Sequence, residues 1–119
     1  MTLRECYEMM HGDYEGVTGR LVSESLVRKF ALKFLNDPSF GQLQAAIESG
    51  DGAEAFRASH TLKGICLNLG FIALCDASSA LTEKLRGNNT LDDESSSLFA
   101  RVHEEYDRTI QAIEKLDPQ

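Results

Sequence analysis

Apolar residues recur along this chain at intervals of three and four, the spacing that aligns one face of an α-helix. Leu98, Val102, Tyr106, Ile110 and Ile113 keep it near the end and predict a helix over about 92–116, with Asp92, Asp93 and Glu94 at its positive end. Leu74, Ser78, Leu81 and Leu85 form one stripe of a helix over 71–86, which Gly87 closes and the turn 88–91 follows. Phe40, Leu43 and Ile47 mark a short helix ending at Gly50, opened by Asn36-Asp37-Pro38, with Asp37 as cap and Pro38 in the first helical position. Val17, Leu21, Val27, Phe30, Phe34 and Leu35 predict one continuous helix over 17–35. Thr2 and Glu5 have capping-box spacing for a short first helix that ends near His11-Gly12. Asp51 and Glu54 open a helix that runs to Gly70.

No segment alternates with the strand period of two. Short connections favour antiparallel neighbours, so the expected fold is all-α: an up-and-down antiparallel four-helix bundle with an additional short N-terminal helix. A length of 119 residues suits one domain over 1–119. The Met1 start and the ending Leu116-Asp117-Pro118-Gln119 read as those of a finished, stand-alone protein.

Charge and cysteine usage narrow the possible functions. The net charge of −7 argues against nucleic acid and anionic membranes as partners. No apolar run reaches membrane-span length and the first residues lack a signal-peptide core, so a cytoplasmic location is expected. Cys6, Cys66 and Cys75 are odd in number and lack metal-ligand spacing, as befits reduced thiols. No second long apolar stripe is left over, which favours a monomer.

The helix opened by Asp51 carries the most informative stretch, ASHTLKGICLNLG at 58–70. Each helical residue turns by about 100°, so Ala55, Ala58, Leu62, Ile65, Cys66 and Leu69 lie roughly 140–240° from His60. That apolar stripe must face the core, and His60 must face away. Phe56, Arg57, Lys63, Gly64 and Leu67 share the side of His60. Glycine within a helix costs about 0.8–1 kcal/mol relative to alanine. Gly64 points away from the core stripe, so its missing side chain reads as clearance for a large partner. Between Ala55 and Cys75 there is no acidic residue, in a chain with 19 of them; the formal charges there are Arg57 and Lys63. An exposed imidazole in cationic surroundings suits an anionic group such as phosphate. Imidazole is a competent nucleophile near neutral pH. No P-loop or kinase signature accompanies it, so the group must come from another protein.

His60-Thr61-Leu62-Lys63-Gly64 followed by Asn68-Leu69-Gly70 resembles the His-x-x-Lys-Gly signature of histidine-containing phosphotransfer (HPt) domains. The resemblance runs from about Gly12-Asp13-Tyr14 into the last helix and is strongest over 12–116. It implies a carrier without kinase activity or a nucleotide site. His60 would take a phosphoryl group from a receiver-domain aspartate, or from a hybrid histidine kinase relay, and pass it to another response-regulator receiver. Lys63 would screen the phosphoryl charge and Gly64 would allow docking. The chain would need no cofactor, with Mg2+ on the partner receiver. Phe56, Arg57, Leu67 and Phe71 would contribute to the partner-binding surface. Several family members carry a Gln on the following helix that orients the imidazole; here Thr82 aligns with it, and its hydroxyl is shorter.

The other histidines have plainer readings. His11 ends a helix, where a cation favours the dipole, and His103 lies on the solvated face of the last helix. Neither has the i+4 partner of a metal pair, and no metal site is expected. Two alternatives stay open: an interaction module that binds receiver or kinase domains without taking phosphate, and the detached phosphoacceptor domain of a larger histidine kinase.

Overall fold

The computed structural model describes residues 1–21 and 23–116; the expected terminus beyond Leu116 lies outside the described residues. Among these, seven helices occur and no strand: α1 Leu3–Met9, α2 Tyr14–Leu21, α3 Glu24–Phe34, α4 Ser39–Ser49, α5 Gly52–Leu69, α6 Ile72–Leu85 and α7 Asp93–Glu114. The architecture is all-α. Helices α4 to α7 pack in sequence as an antiparallel bundle, with α5 in broad contact with both α4 and α6. Helix α1 lies against α7 and α2, and α3 touches α5 and α7. No described helix is long and apolar enough to cross a membrane.

The caps set these boundaries as the sequence indicates. Thr2 and Glu5 close a reciprocal capping box, in which Glu5 N–H donates to Thr2 Oγ1 at 3.2 Å and Thr2 N–H donates to Glu5 Oε1 at 2.9 Å. Asp51 accepts from Glu54 N–H at 3.1 Å and starts α5. Gly70, at φ 71°, ends it in the left-handed conformation that glycine adopts without strain. Asp92 and Ser95 form a second capping box at α7. The start of α4 is shifted by one from the expected cap: Pro38 holds the N-cap position and Ser39 is the first helical residue, while Asp37, one place further out, accepts from Ser39 N–H at 2.8 Å.

The single helix expected over 17–35 is two helices. Ser23 adopts extended backbone (φ −141°, ψ 124°), and its hydroxyl accepts from Leu26 N–H at 3.2 Å, starting α3. The six-residue step from Leu21 to Val27 already breaks the helical spacing, and a serine at that gap restarts it. Val22 falls outside the described residues.

The core fixes α5 in place. Ala55, Ala58, Leu62 and Cys66 are fully buried, as the stripe predicts. Ile65, at the edge of the stripe, is only half-buried and borders a groove between α5 and the α2–α3 pair. The C-terminal end of α5 is tied down from α1 and α2. Tyr7 donates its hydroxyl to Leu69 O at 2.6 Å, Asp13 N–H donates to Gly70 O at 2.8 Å, and Arg20 Nη2 donates to Leu67 O and Asn68 O at 3.3 and 3.2 Å. These bonds satisfy carbonyls that helix geometry leaves open, and the guanidinium complements the negative end of the dipole. At the other end, the loop after α6 crosses Gly52 so closely that an added Cβ would lie 1.6 Å from Asn89 O.

The three cysteines are free and buried. Burial pushes the Cys6 thiol up to about 11 and raises Cys66 and Cys75 as well.

Candidate functional site

Helix α5 presents His60 outward. The imidazole is exposed, its neighbour Ser59 is buried against α6, and Ala58 and Leu62 enter the core. The imidazole makes no hydrogen bond among the described residues; its ring lies 6.1 Å from that of half-buried Phe56. Gly64, one turn on, is exposed, and a Cβ built there meets nothing within 4 Å. The helix's packing therefore does not require a glycine at this position. Lys63 is half-buried and forms no ion pair among the described residues, which leaves its charge available to the imidazole's surroundings. Leu67, two turns beyond His60 on the same side, is 56% exposed, more than Leu32 or Ile72.

Two residues expected at the partner surface are elsewhere. Phe71 is 0% exposed, with its ring 5.2 Å from Phe34 and 5.7 Å from Tyr7. It directly follows the helix-ending Gly70, and the chain's reversal turns it into the core. Thr82 is likewise 0% exposed. Its hydroxyl donates to Ser78 O at 2.7 Å or to Ser59 Oγ at 3.0 Å, so it braces α6 against α5 behind His60 and does not reach the imidazole.

The surroundings of His60 are also less cationic than the local sequence indicates. Arg57 is exposed but paired: its Nε donates to Glu54 Oε2 at 2.8 Å, a second short bond joins Nη2 to Glu54 Oε1, and Nη2 lies 3.2 Å from Gln42 Oε1. Glu54 stands one position before the acid-free interval. A second carboxylate arrives from α6, where Glu83 is held below the usual range by its hydrogen bonds to Arg86, with smaller contributions from Lys63 and His60. Arg86 in turn lies with its guanidinium 5.4 Å from the centre of the Phe56 ring. Glu83 and Arg86 escape a reading of α5 alone. The α5–α6 hairpin contains the signal that finds them: residues equally far from the Gly70–Phe71 corner face each other, so Ser59 meets Thr82, and Glu83 follows directly on α6.

The remaining histidines lie apart from this face. Arg108 Nη1 is 3.2 Å from His11 Nδ1. His11 itself follows the end of α1 with a left-handed backbone, at φ 56°. His103 is part-exposed, packs near the Phe40 and Phe99 rings and lies 3.5 Å from Asp107.

An outward imidazole beside an unpaired ammonium, with open space one turn along, can accept an anionic group delivered by a second macromolecule. A family model described as "Hpt domain" matches residues 36–114, from just before α4 to the end of α7. No curated protein and no solved structure gives a significant match. With well over half of its length matched, the chain belongs to the Hpt domain family, whose members carry phosphoryl groups on histidine in phosphorelay signalling.

Proposed function

We propose that this protein is a phosphorelay intermediate with His60 as its phosphoacceptor. The supporting observation is the pairing of an exposed imidazole with Lys63 and the open Gly64 on the outward side of α5. In the forward step the Nε2 lone pair attacks the phosphorus of an aspartyl phosphate on a receiver domain. The phosphorus–nitrogen bond forms, the bond to the aspartate oxygen breaks, and the carboxylate leaves. The same path in reverse delivers the group to a second receiver.

Lys63 offsets the charge of about −1.5 to −2 that arrives with the phosphoryl group. Gly64 leaves room for the receiver's active-site loops to close on the imidazole. Leu67 and the exposed edge of Phe56 supply apolar contact area, with the paired Arg57 at its border. The receiver brings its own magnesium, and this chain acts as acceptor and carrier without a kinase or nucleotide site. The partners are response-regulator receivers and a hybrid histidine kinase, met by a monomeric carrier in the cytoplasm.

Incubation with a phosphorylated receiver tests the proposal. An acid-labile, alkali-stable label on the wild type that disappears in His60→Gln supports it. Receiver binding without any label, unchanged by the substitution, would select a docking module instead.

A further inference from the structure

The groove that Ile65 borders has no task in the proposed transfer. One wall is Ile65 and Leu69 of α5; the other is Leu21 of α2 with Phe30 and Phe34 of α3. Leu21, Phe30 and Ile65 are half-buried, and Phe34 and Leu69 lie deeper, at 3% and 9% exposed. The volume of about 480 Å³ falls in the range of small-molecule sites, about 300–1,000 Å³. The family match begins at residue 36, so the α2–α3 wall lies outside it. Arg20 and Lys33, both exposed, complete the lining. Arg20 donates from Nη2 to Leu67 O and Asn68 O, and its Nε and Nη1 make no hydrogen bond among the described residues. Lys33 Nζ lies 5.8 Å from the centre of the Phe30 ring and has no ion pair among the described residues. Asp37 is the one acid of the lining, and its Oδ1 already accepts from Ser39 N–H at 2.8 Å. Two cations thus face one engaged carboxylate beside an apolar trough, in a chain of net charge −7.

From this arrangement we infer that the groove binds a small amphipathic monocarboxylate with an aliphatic chain, the chemistry of a medium-chain fatty acid. The chain lies between the Phe30 and Phe34 rings on one side and Ile65 and Leu69 on the other, where each methylene taken out of water adds affinity. The carboxylate meets the Lys33 ammonium and the unused edge of the Arg20 guanidinium, whose planar fork suits two oxygens. A cationic amphiphile of the same length would bring its charge against both. The inference goes beyond the proposed phosphotransfer and stands independently of it.

The test is an NMR titration of the isotope-labelled, unphosphorylated full chain with octanoate in low salt. Saturable amide shifts concentrated at 20–21, 30–37 and 65–69 are expected. Decanoate should bind more tightly and hexanoate more weakly, by about fourfold for each methylene. Octylammonium, with the same chain and the opposite charge, should bind at least about tenfold more weakly than octanoate. Lys33 is exposed, so Lys33→Gln leaves the core intact; it should weaken octanoate about fivefold, and salt of about 0.5 M should narrow that gap. Shifts that are absent or scattered over the surface would overturn the inference, as would equal affinities for octanoate and octylammonium or for wild type and Lys33→Gln. Co-sedimentation with phosphatidylglycerol vesicles would point to a membrane surface and also overturn it. Groove shifts caused by a receiver domain but not by octanoate would make the groove a protein-docking surface, with the same consequence. Failure of His60 to take a phosphoryl label would leave this result standing, since no step of the titration uses it.

Discussion

Replacing Gly64 by alanine separates stability from function more sharply than any other single change. Gly64 lies inside α5, is exposed, and has empty space where a Cβ would go. Alanine there strains nothing and recovers the helix-propensity difference of about 0.8–1 kcal/mol. For a domain of this size that corresponds to a rise in Tm of roughly 3–6 °C. Urea titration should show a higher midpoint with an unchanged slope, since the surface exposed on unfolding is almost the same. Phosphotransfer should move the other way. Alanine should slow transfer from a phosphorylated receiver measurably, and Gly64→Gln, also a better helix former than glycine, should slow it much further. A carrier that becomes more stable and less competent as the side chain grows is the expected result. If Gly64→Ala is instead destabilised, the glycine serves packing within the chain. If Gly64→Gln transfers as fast as wild type, the clearance argument fails.

Other outcomes follow from the packing. Leu62→Ala, which empties a fully buried position on the inward side of α5, should cost about 2–5 kcal/mol in urea unfolding. Thr82→Val removes the hydroxyl that braces α6 to Ser59 and should cost about 1 kcal/mol, read from the same titration. Gly52→Ala drives a methyl into Asn89 O, so the loop after α6 must move; a lowered Tm, with amide shift changes across 87–91, is expected. The thiol of Cys6 is raised from 9.0 to about 11, so between these values the unfolded chain has lost a proton that the folded chain keeps. Stability contributed by this group is complete below pH 9 and falls as pH rises toward 11, by at most about 2–3 kcal/mol. Cys6→Ala should flatten the curve in that window, leaving the slope from buried Tyr7 and Cys66, which shift in the same direction.

The sequence reveals α5 well because one helix carries two opposed patterns. Ala58, Leu62 and Cys66 repeat at helical spacing and are buried; His60 and Gly64 fall on the opposite side and are exposed. Asp51 and Gly70 bound the helix through local chemistry that needs no tertiary information. What stayed hidden depends on chain reversals and on neighbours from other elements. Phe71 looks like a residue beside the site until the turn at Gly70 sends it inward against Tyr7 and Phe34. Arg57 looks like a second cation for His60 until Glu54 and Gln42 engage it. Thr82 aligns with an imidazole-orienting position yet spends its hydroxyl on Ser78 and Ser59. The break at Ser23 was visible as an irregular apolar step, but a run of helix formers on either side masked it.

The central claim is that one imidazole, that of His60, carries the phosphoryl group. Its most direct test is phosphorus NMR of the protein after exposure to a phosphorylated receiver, on wild type and on His60→Gln, His11→Gln and His103→Gln. A single phosphoramidate resonance is expected in wild type and in the last two variants, and none in His60→Gln. A phosphoramidate signal that persists in His60→Gln and disappears with either of the other histidines would contradict it.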